Sequence, residues 1–203
     1  MILAIDTSGA IAVAAVEDDG AVVAERSEFA PRGHAELLAG MVEQVLADAG
    51  FDHTADRPSR IVVGTGPATF TGLRVGLVTA RTLAYAWRVP VDGVCSLDAL
   101  GAEHGTCTVV TDARRKEVYW ATYRDGLRVT EPQVGAPESV PAVGRVLGRG
   151  AVLYPDVFPG ARSVDPDPAR LVTVAAAARR AGETDLPSEP LYLRRPDVHG
   201  VPA

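Results

Sequence analysis

The chain has 203 residues, 47% of them hydrophobic and 23% charged, with a formal net charge of −6. That is enough for one good core or two small ones, and no run approaches the roughly 20 apolar residues that cross a bilayer. The start carries no basic segment before its apolar stretch, so no signal peptide is expected, and the expected location is the cytoplasm.

In chain order, Ile2–Asp6 reads as a strand ending in an acid, followed by the small turn Thr7-Ser8-Gly9, a second strand at Ile11–Val16, an Asp19-Gly20 turn and a third strand at Val22-Val23. Residues 34–49 read as a helix. Its apolar positions Leu37, Leu38, Met41, Val42, Val45 and Leu46 cover about half the circumference, wider than the roughly 100° stripe that one sheet uses. Ile61–Val63 is a short apolar strand that runs into Gly64-Thr65-Gly66-Pro67-Ala68-Thr69-Phe70-Thr71-Gly72-Leu73-Arg74. The glycines and proline break the strand, and Thr69 or Thr71 is placed to cap the next helix. Such a turn offers N–H groups to an anion, but the spacing is not a Walker A loop; a tight turn that packs helix on sheet is the other reading.

The helix from Thr71 to about Arg88 confines its charges, Arg74, Arg81 and Arg88, to a strip seven residues apart. Gly72, Gly76, Ala80 and Ala84 form a small-residue face that lets another helix come close. Two broad apolar helices predict an outside interface made by Leu37, Leu38, Met41, Val42, Val45, Gly72, Leu73, Gly76, Leu77 and Ala80; a central helix buried within the monomer is the alternative.

The second half repeats the first at an offset of 106 residues: Thr108–Asp112, Val118–Tyr123, Asp125-Gly126 and Val129 again give strand, turn, strand, Asp-Gly turn and strand. This divides the chain into an N-terminal lobe, 1–104, and a smaller C-terminal lobe, 105–203. Pro132 to Pro168 reads as irregular with short strands, Leu171 to Ala181 as an Ala-rich helix, and the tail after Arg195 as mobile. Asp6 and Asp112 occupy equivalent strand ends, where they either cap nearby N–H groups or hold magnesium. The first turn, Thr7-Ser8-Gly9, suits a phosphate; the second, Ala113-Arg114-Arg115-Lys116, is bulky.

Residues 1–100 carry 7 Arg against 13 acids, and residues 101–203 carry 13 Lys and Arg against 13 acids, which is not the basic footprint of a chain that grips nucleic acid alone. The clusters Arg114-Arg115-Lys116, Arg179-Arg180 and Arg194-Arg195 read as solvated faces or as aids to an RNA-binding partner. His34, His53, His104 and His199 are scattered without a His-x-x-x-His pair, and Cys95 and Cys107 have neither metal spacing nor a nearby His.

The Gly64–Arg74 segment resembles the Gly-Pro-Gly-Ser-Phe-Thr-Gly-Leu-Arg signature of the TsaB (YeaZ) family, with Ala68 and Thr69 in place of Gly and Ser. Met1–Ser8, Asp112-Ala113-Arg114 with Glu117–Ala121, and Glu189–Arg194 resemble the family's opening strand, second-half hairpin and C-terminal segment. The resemblance implies an α/β chain with two lobes of the actin/sugar-kinase/Hsp70 superfamily (ribonuclease H-like) fold, the second reduced. It implies a noncatalytic subunit that pairs with TsaD, joined by the ATPase TsaE, for threonylcarbamoyladenosine formation in tRNA. It further implies no cofactor on this chain alone, ATP or ADP and metal on TsaD and TsaE, tRNA contact through the complex, and no membrane. The exposed apolar helices predict a homodimer when TsaD is absent. The rival is a small-molecule kinase or ATPase using Asp6, Thr7, Ser8 and Asp112; a metallopeptidase is the weakest reading because the His pair is missing. ATP hydrolysis and stoichiometric metal by the isolated chain are not expected.

Overall fold

The computed structural model describes residues 1–30, 34–52 and 55–194, without the side chains of 34 and 35. Two sheets share one plan. In the first, β1 (Ile2–Asp6) lies between β2 (Ile11–Val16), antiparallel, and β4 (Arg60–Gly64), parallel; β3 (Val22–Glu28) and β5 (Val91–Val94) are the edges. In the second, β6 (Cys107–Asp112) lies between β7 (Val118–Arg124), antiparallel, and β10 (Arg145–Leu147), parallel. The repeat therefore extends to a fourth strand, since β10 stands to β6 as β4 stands to β1. Among the described residues the second copy has no helix between its third and fourth strands, only a 3₁₀ turn at Pro137–Ser139, and no strand that stands to β10 as β5 stands to β4. These are the two lobes of the actin/sugar-kinase/Hsp70 superfamily fold, the second reduced.

Two details of the repeat differ from expectation. The third strand of the second copy is split: β8 (Leu127–Arg128) pairs with the end of β7, and β9 (Gln133–Gly135) pairs with its start. Val129 falls outside β8, and Pro132, which lacks an N–H, sits in the break. The two Asp-Gly pairs also build different turns. Asp125 and Gly126 both take positive φ, 51° and 79°, in a two-residue hairpin of the primed kind. Asp19-Gly20 lies in a longer loop in which only Gly20 does so, beside a register shift at Ala15/Val16.

The first sheet is covered on both faces, and the alternation of its strands shows why. Leu3, Ile5, Ile11, Val13, Ile61 and Val63 face α1 (His34–Asp48) and α2 (Phe70–Trp87). Ala4, Ala14, Val16 and Val62 face α4 (Pro168–Arg180), whose Ala169, Leu171, Val172 and Ala175 come from the second half of the chain. Helix α4 begins earlier than its apolar run: Asp167 accepts the Ala169 N–H as N-cap, and Pro168 takes the first position, where a missing N–H costs nothing. A further short helix, α3 (Ser96–Gly101), joins the lobes. Its Leu97 and Leu100 pack with Val109, Ala121, Tyr123 and Leu147, and Tyr123 Oη donates to Asp98 at 2.8 Å. Neither α3 nor β5 is announced by a long periodic pattern.

Candidate functional site

The strand-end acid of the first lobe is a buried junction rather than an open ligand. Asp6 is 1% exposed. Its Oδ1 accepts from Ser8 N–H at 2.8 Å and Ser8 Oγ–H at 2.6 Å, and its Oδ2 accepts from Ser96 Oγ–H at 2.5 Å. Burial pushes its carboxyl above the ordinary range; the hydrogen bonds of Ser8 and Ser96 oppose that, and the charge of Asp165 adds to it. Asp112 repeats the geometry in the second lobe, accepting Arg114 N–H at 2.7 Å and pairing with the Arg114 guanidinium at 3.1 Å. Both acids cap the turn two residues on.

A raised carboxyl favours the protonated acid in the fold. Asp6 thus contributes stability fully below the ordinary carboxylate value, and the contribution is lost as pH rises through the raised one. Asp6→Asn keeps the shape without the charge, so its stability relative to wild type is expected to climb as pH rises above the ordinary carboxylate value of about 4 and through the raised one. Urea midpoints for both proteins across that range check it; parallel curves would refute it.

Thr7, Ser8, Gly9, Asp112, Arg149 and Asp165 line part of a cleft of about 400 Å³ between the sheets. Arg149 holds Asp165 through two hydrogen bonds and lies 3.9 Å over the Phe29 ring. A Cβ on Gly9 would stand 3.2 Å from Asp165 Oδ1, so a carboxylate rests against the turn best suited to phosphate. A phosphate in this cleft would compete with Asp165 for Arg149 and with Asp112 for Arg114. Thr7 Oγ–H, meanwhile, donates to the Gly72 carbonyl at 2.8 Å.

The expected interface residues divide differently from their sequence reading. Gly72, Leu73, Gly76, Leu77 and Ala80 are buried inside the chain, and a Cβ on Gly76 would lie 2.4 Å from Thr7 Oγ1. The small-residue face therefore admits the end of β1, not a partner helix. Leu38, Met41, Val42 and Val45 are likewise buried, with Leu37 partly so. What remains outside is a groove of about 630 Å³ along α1 and α2, lined by Ala39, Val42, Glu43, Leu46, Ala47, Thr79, Leu83 and Trp87. The signature turn itself is structural: Gly66 takes the positive φ of 89° and precedes a cis proline, while Ala68 does not need one. Thr69 occupies the N-cap position of α2 but makes no side-chain cap bond.

The arginine strip of α2 holds the C-terminal segment. Arg74 Nε donates to Tyr192 Oη at 2.8 Å, and Arg81 reaches Ser188 and Glu189. The same segment bonds Leu186 O to Gly93 N–H and Leu191 N–H to Thr65 O, each across the edge of the first sheet. It ends with Arg194 donating to Ala113 O at 2.7 Å, in the second lobe. Arg179 is not a solvated charge either: with Arg60 it pairs with Asp92, which is 2% exposed.

The second turn has an unusual backbone. Arg114, Arg115 and Lys116 take φ of 62°, 54° and 60° in succession. Each such residue costs about 1–2 kcal/mol without glycine. The turn is held by Asp112 at its start and by bonds between Ala113 N–H and Glu117 O and between Glu117 N–H and Arg114 O, both 3.0 Å.

Other chemistry is sparse. The Cys95 thiol is pushed up to about 12 by burial, and burial also raises Cys107, which keeps both protonated at neutral pH. His104, in the turn after α3, bonds back to Leu100 O of that helix at 2.9 Å; His53, His199 and the His34 side chain lie outside the described residues, as does the tail from Arg195 onward. Among the described residues no group of three or more metal-ligating side chains comes together, and no helix is long and apolar enough to cross a membrane.

The family model for TsaD, tRNA N6-adenosine threonylcarbamoyltransferase, matches residues 21–165. A Mycobacterium leprae protein is 41% identical over 210 residues, covering all of this chain and 57% of that protein. The tRNA threonylcarbamoyladenosine biosynthesis protein TsaB of Bacillus subtilis is 35% identical over 128 residues, which is 61% of this chain and 55% of that protein. The matches thus span just over half the length of these two curated relatives. A solved structure of YeaZ from Pseudomonas aeruginosa agrees with a TM-score of 0.77 at 31% identity, over 95% of this chain and 99% of that one. Agreement in sequence and shape along nearly all of a YeaZ chain leads to one conclusion: this chain belongs to the TsaB (YeaZ) family.

Proposed function

We propose that the protein is a noncatalytic partner of TsaD in the formation of threonylcarbamoyladenosine in tRNA. The observation that carries this reading is the apolar groove between α1 and α2, an outer surface on a chain whose strand-end acids are already engaged within the fold. The family and the TsaD family match support the same pathway. The groove seats TsaD and holds it in its active conformation, ATP and metal chemistry stay with TsaD and TsaE, and tRNA is bound in the complex. Without TsaD the same groove seats a second copy of this chain, and the two assemblies compete. The superfamily rival, a kinase or ATPase, gains nothing from a cleft in which Asp165 sits against Gly9 and Asp6 is buried.

The test is threonylcarbamoyl transfer by purified TsaD, with and without this chain. Wild type should stimulate transfer, and Ala39→Glu with Thr79→Glu should weaken TsaD association at least tenfold, about 1.4 kcal/mol, with the melting curve unchanged. No stimulation by wild type would refute the partner role. Unchanged association of the double variant would move the contact away from the groove.

A further inference from the structure

Two observations meet beside the second turn. Arg114, Arg115 and Arg194 line a hollow of about 100 Å³ together with Phe70 and Tyr192. The two rings stack at 5.1 Å between centroids and 28° between planes, and the Arg74 guanidinium lies 3.7 Å from the Phe70 centroid. Lys116 follows in the same left-handed turn, exposed, with no acid pairing it among the described residues. Asp112 and Glu117 answer Arg114 and Arg194.

Three long cations in a row occupy backbone that glycine would adopt without strain. Strain of that kind persists where it places side chains for use. The hollow is far below the roughly 300 Å³ that encloses a small ligand, but it is large enough for one phosphate group. Guanidiniums for the backbone beside an aromatic stack for a base are the recognition elements of a single strand. On a chain with a net charge of −6, a local cationic surface gives a polyanion one place to settle.

We propose that this patch binds a single-stranded RNA segment, with phosphates on the Arg114–Lys116 turn and Arg194 and a base against Tyr192. For the identity of the natural strand, a stretch of substrate tRNA, the inference rests on the proposed partner role; the patch itself is a property of the chain alone. It gives the subunit an RNA contact of its own, which the even charge balance of its second half conceals.

The experiment is fluorescence anisotropy of the isolated 203-residue chain with a labelled oligouridylate of about twelve nucleotides at about 50 mM salt. Arg115→Glu with Lys116→Glu should weaken binding at least tenfold. The slope of log affinity against log salt should fall in magnitude by about 1.4, at about 0.7 per lost single-strand phosphate contact. Tyr192→Ala should weaken binding about fivefold or more with the slope unchanged, because stacking releases no counterions. Arg124→Glu with Arg145→Glu makes the same change in net charge at the opposite end of β6 and β7, and should leave binding within about twofold. Equal weakening by both double variants, binding to anionic vesicles but not to RNA, or no RNA binding by wild type would overturn the proposal. If RNA fails to bind while TsaD is still stimulated, this inference falls and the partner role stands. If RNA binds as described and TsaD is not stimulated, the partner role falls instead.

Discussion

Replacing Gly64 by alanine is expected to cost the fold about 3 kcal/mol or more, a loss of roughly 6–12 °C in melting temperature for a chain of this size. Gly64 ends β4, and a Cβ there would lie 1.9 Å from Asp6 Oδ2 and 2.6 Å from Ser96 Oγ. Neither neighbour can step aside. Asp6 is held on both oxygens, and Ser96 is fully buried and accepts the Gly66 N–H at 3.2 Å. Moving the Asp6 carboxyl would leave buried polar oxygens without their hydrogen bonds, which is among the costlier single changes a domain can suffer. Gly40→Ala supplies the opposite control, since in α1 its Cβ would meet nothing within 4 Å. It should stabilise by about 0.5–1 kcal/mol through helix propensity. Urea denaturation followed by circular dichroism measures both, and a Gly64→Ala protein within about 1 kcal/mol of wild type would contradict the account.

Gly76→Leu is expected to be nearly as damaging, by about 2–3 kcal/mol, in the monomer itself. Its Cβ would stand 2.4 Å from Thr7 Oγ1 and 3.2 Å from Thr7 Cγ2, so α2 would have to lift from the end of β1. Lifting it also stretches the bond from Thr7 Oγ–H to Gly72 O. The smaller pair Gly76→Ala and Thr7→Ala isolates the contact: each alone should destabilise, and together they should do so by at least about 1 kcal/mol less than their sum. A Gly76→Leu protein that melts like wild type but no longer binds TsaD would restore the sequence reading of this face as an outer interface.

The contrast between these glycines and the groove shows how far sequence reasoning reaches. Periodicity alone places α1 and α2, because each has enough turns for the apolar pattern to repeat. The offset of 106 residues announces two related sheets, because Asp6 and Asp112 perform the same local task of capping their own turns. The family resemblance rests on such local stretches, and the comparisons bear it out.

What the linear pattern cannot specify is what lies against each face. A stripe of small residues states that something comes close, and the fold decides that it is Thr7 of the same chain. The arginines at 74, 81 and 88 state a polar strip; only the return of the C-terminal segment gives Arg74 and Arg81 partners more than 100 residues away. Helix α4 belongs to the second half of the sequence and to the first sheet in space, because the alanines on that face, Ala4 and Ala14, leave room for an Ala-rich helix. The long helices, the repeat and the family are legible in the sequence, because periodic patterns and local motifs set them; α3, β5 and the split third strand of the second copy are not. Which faces are core and which are surface follows only from the packed chain, because burial depends on contacts between residues far apart in sequence.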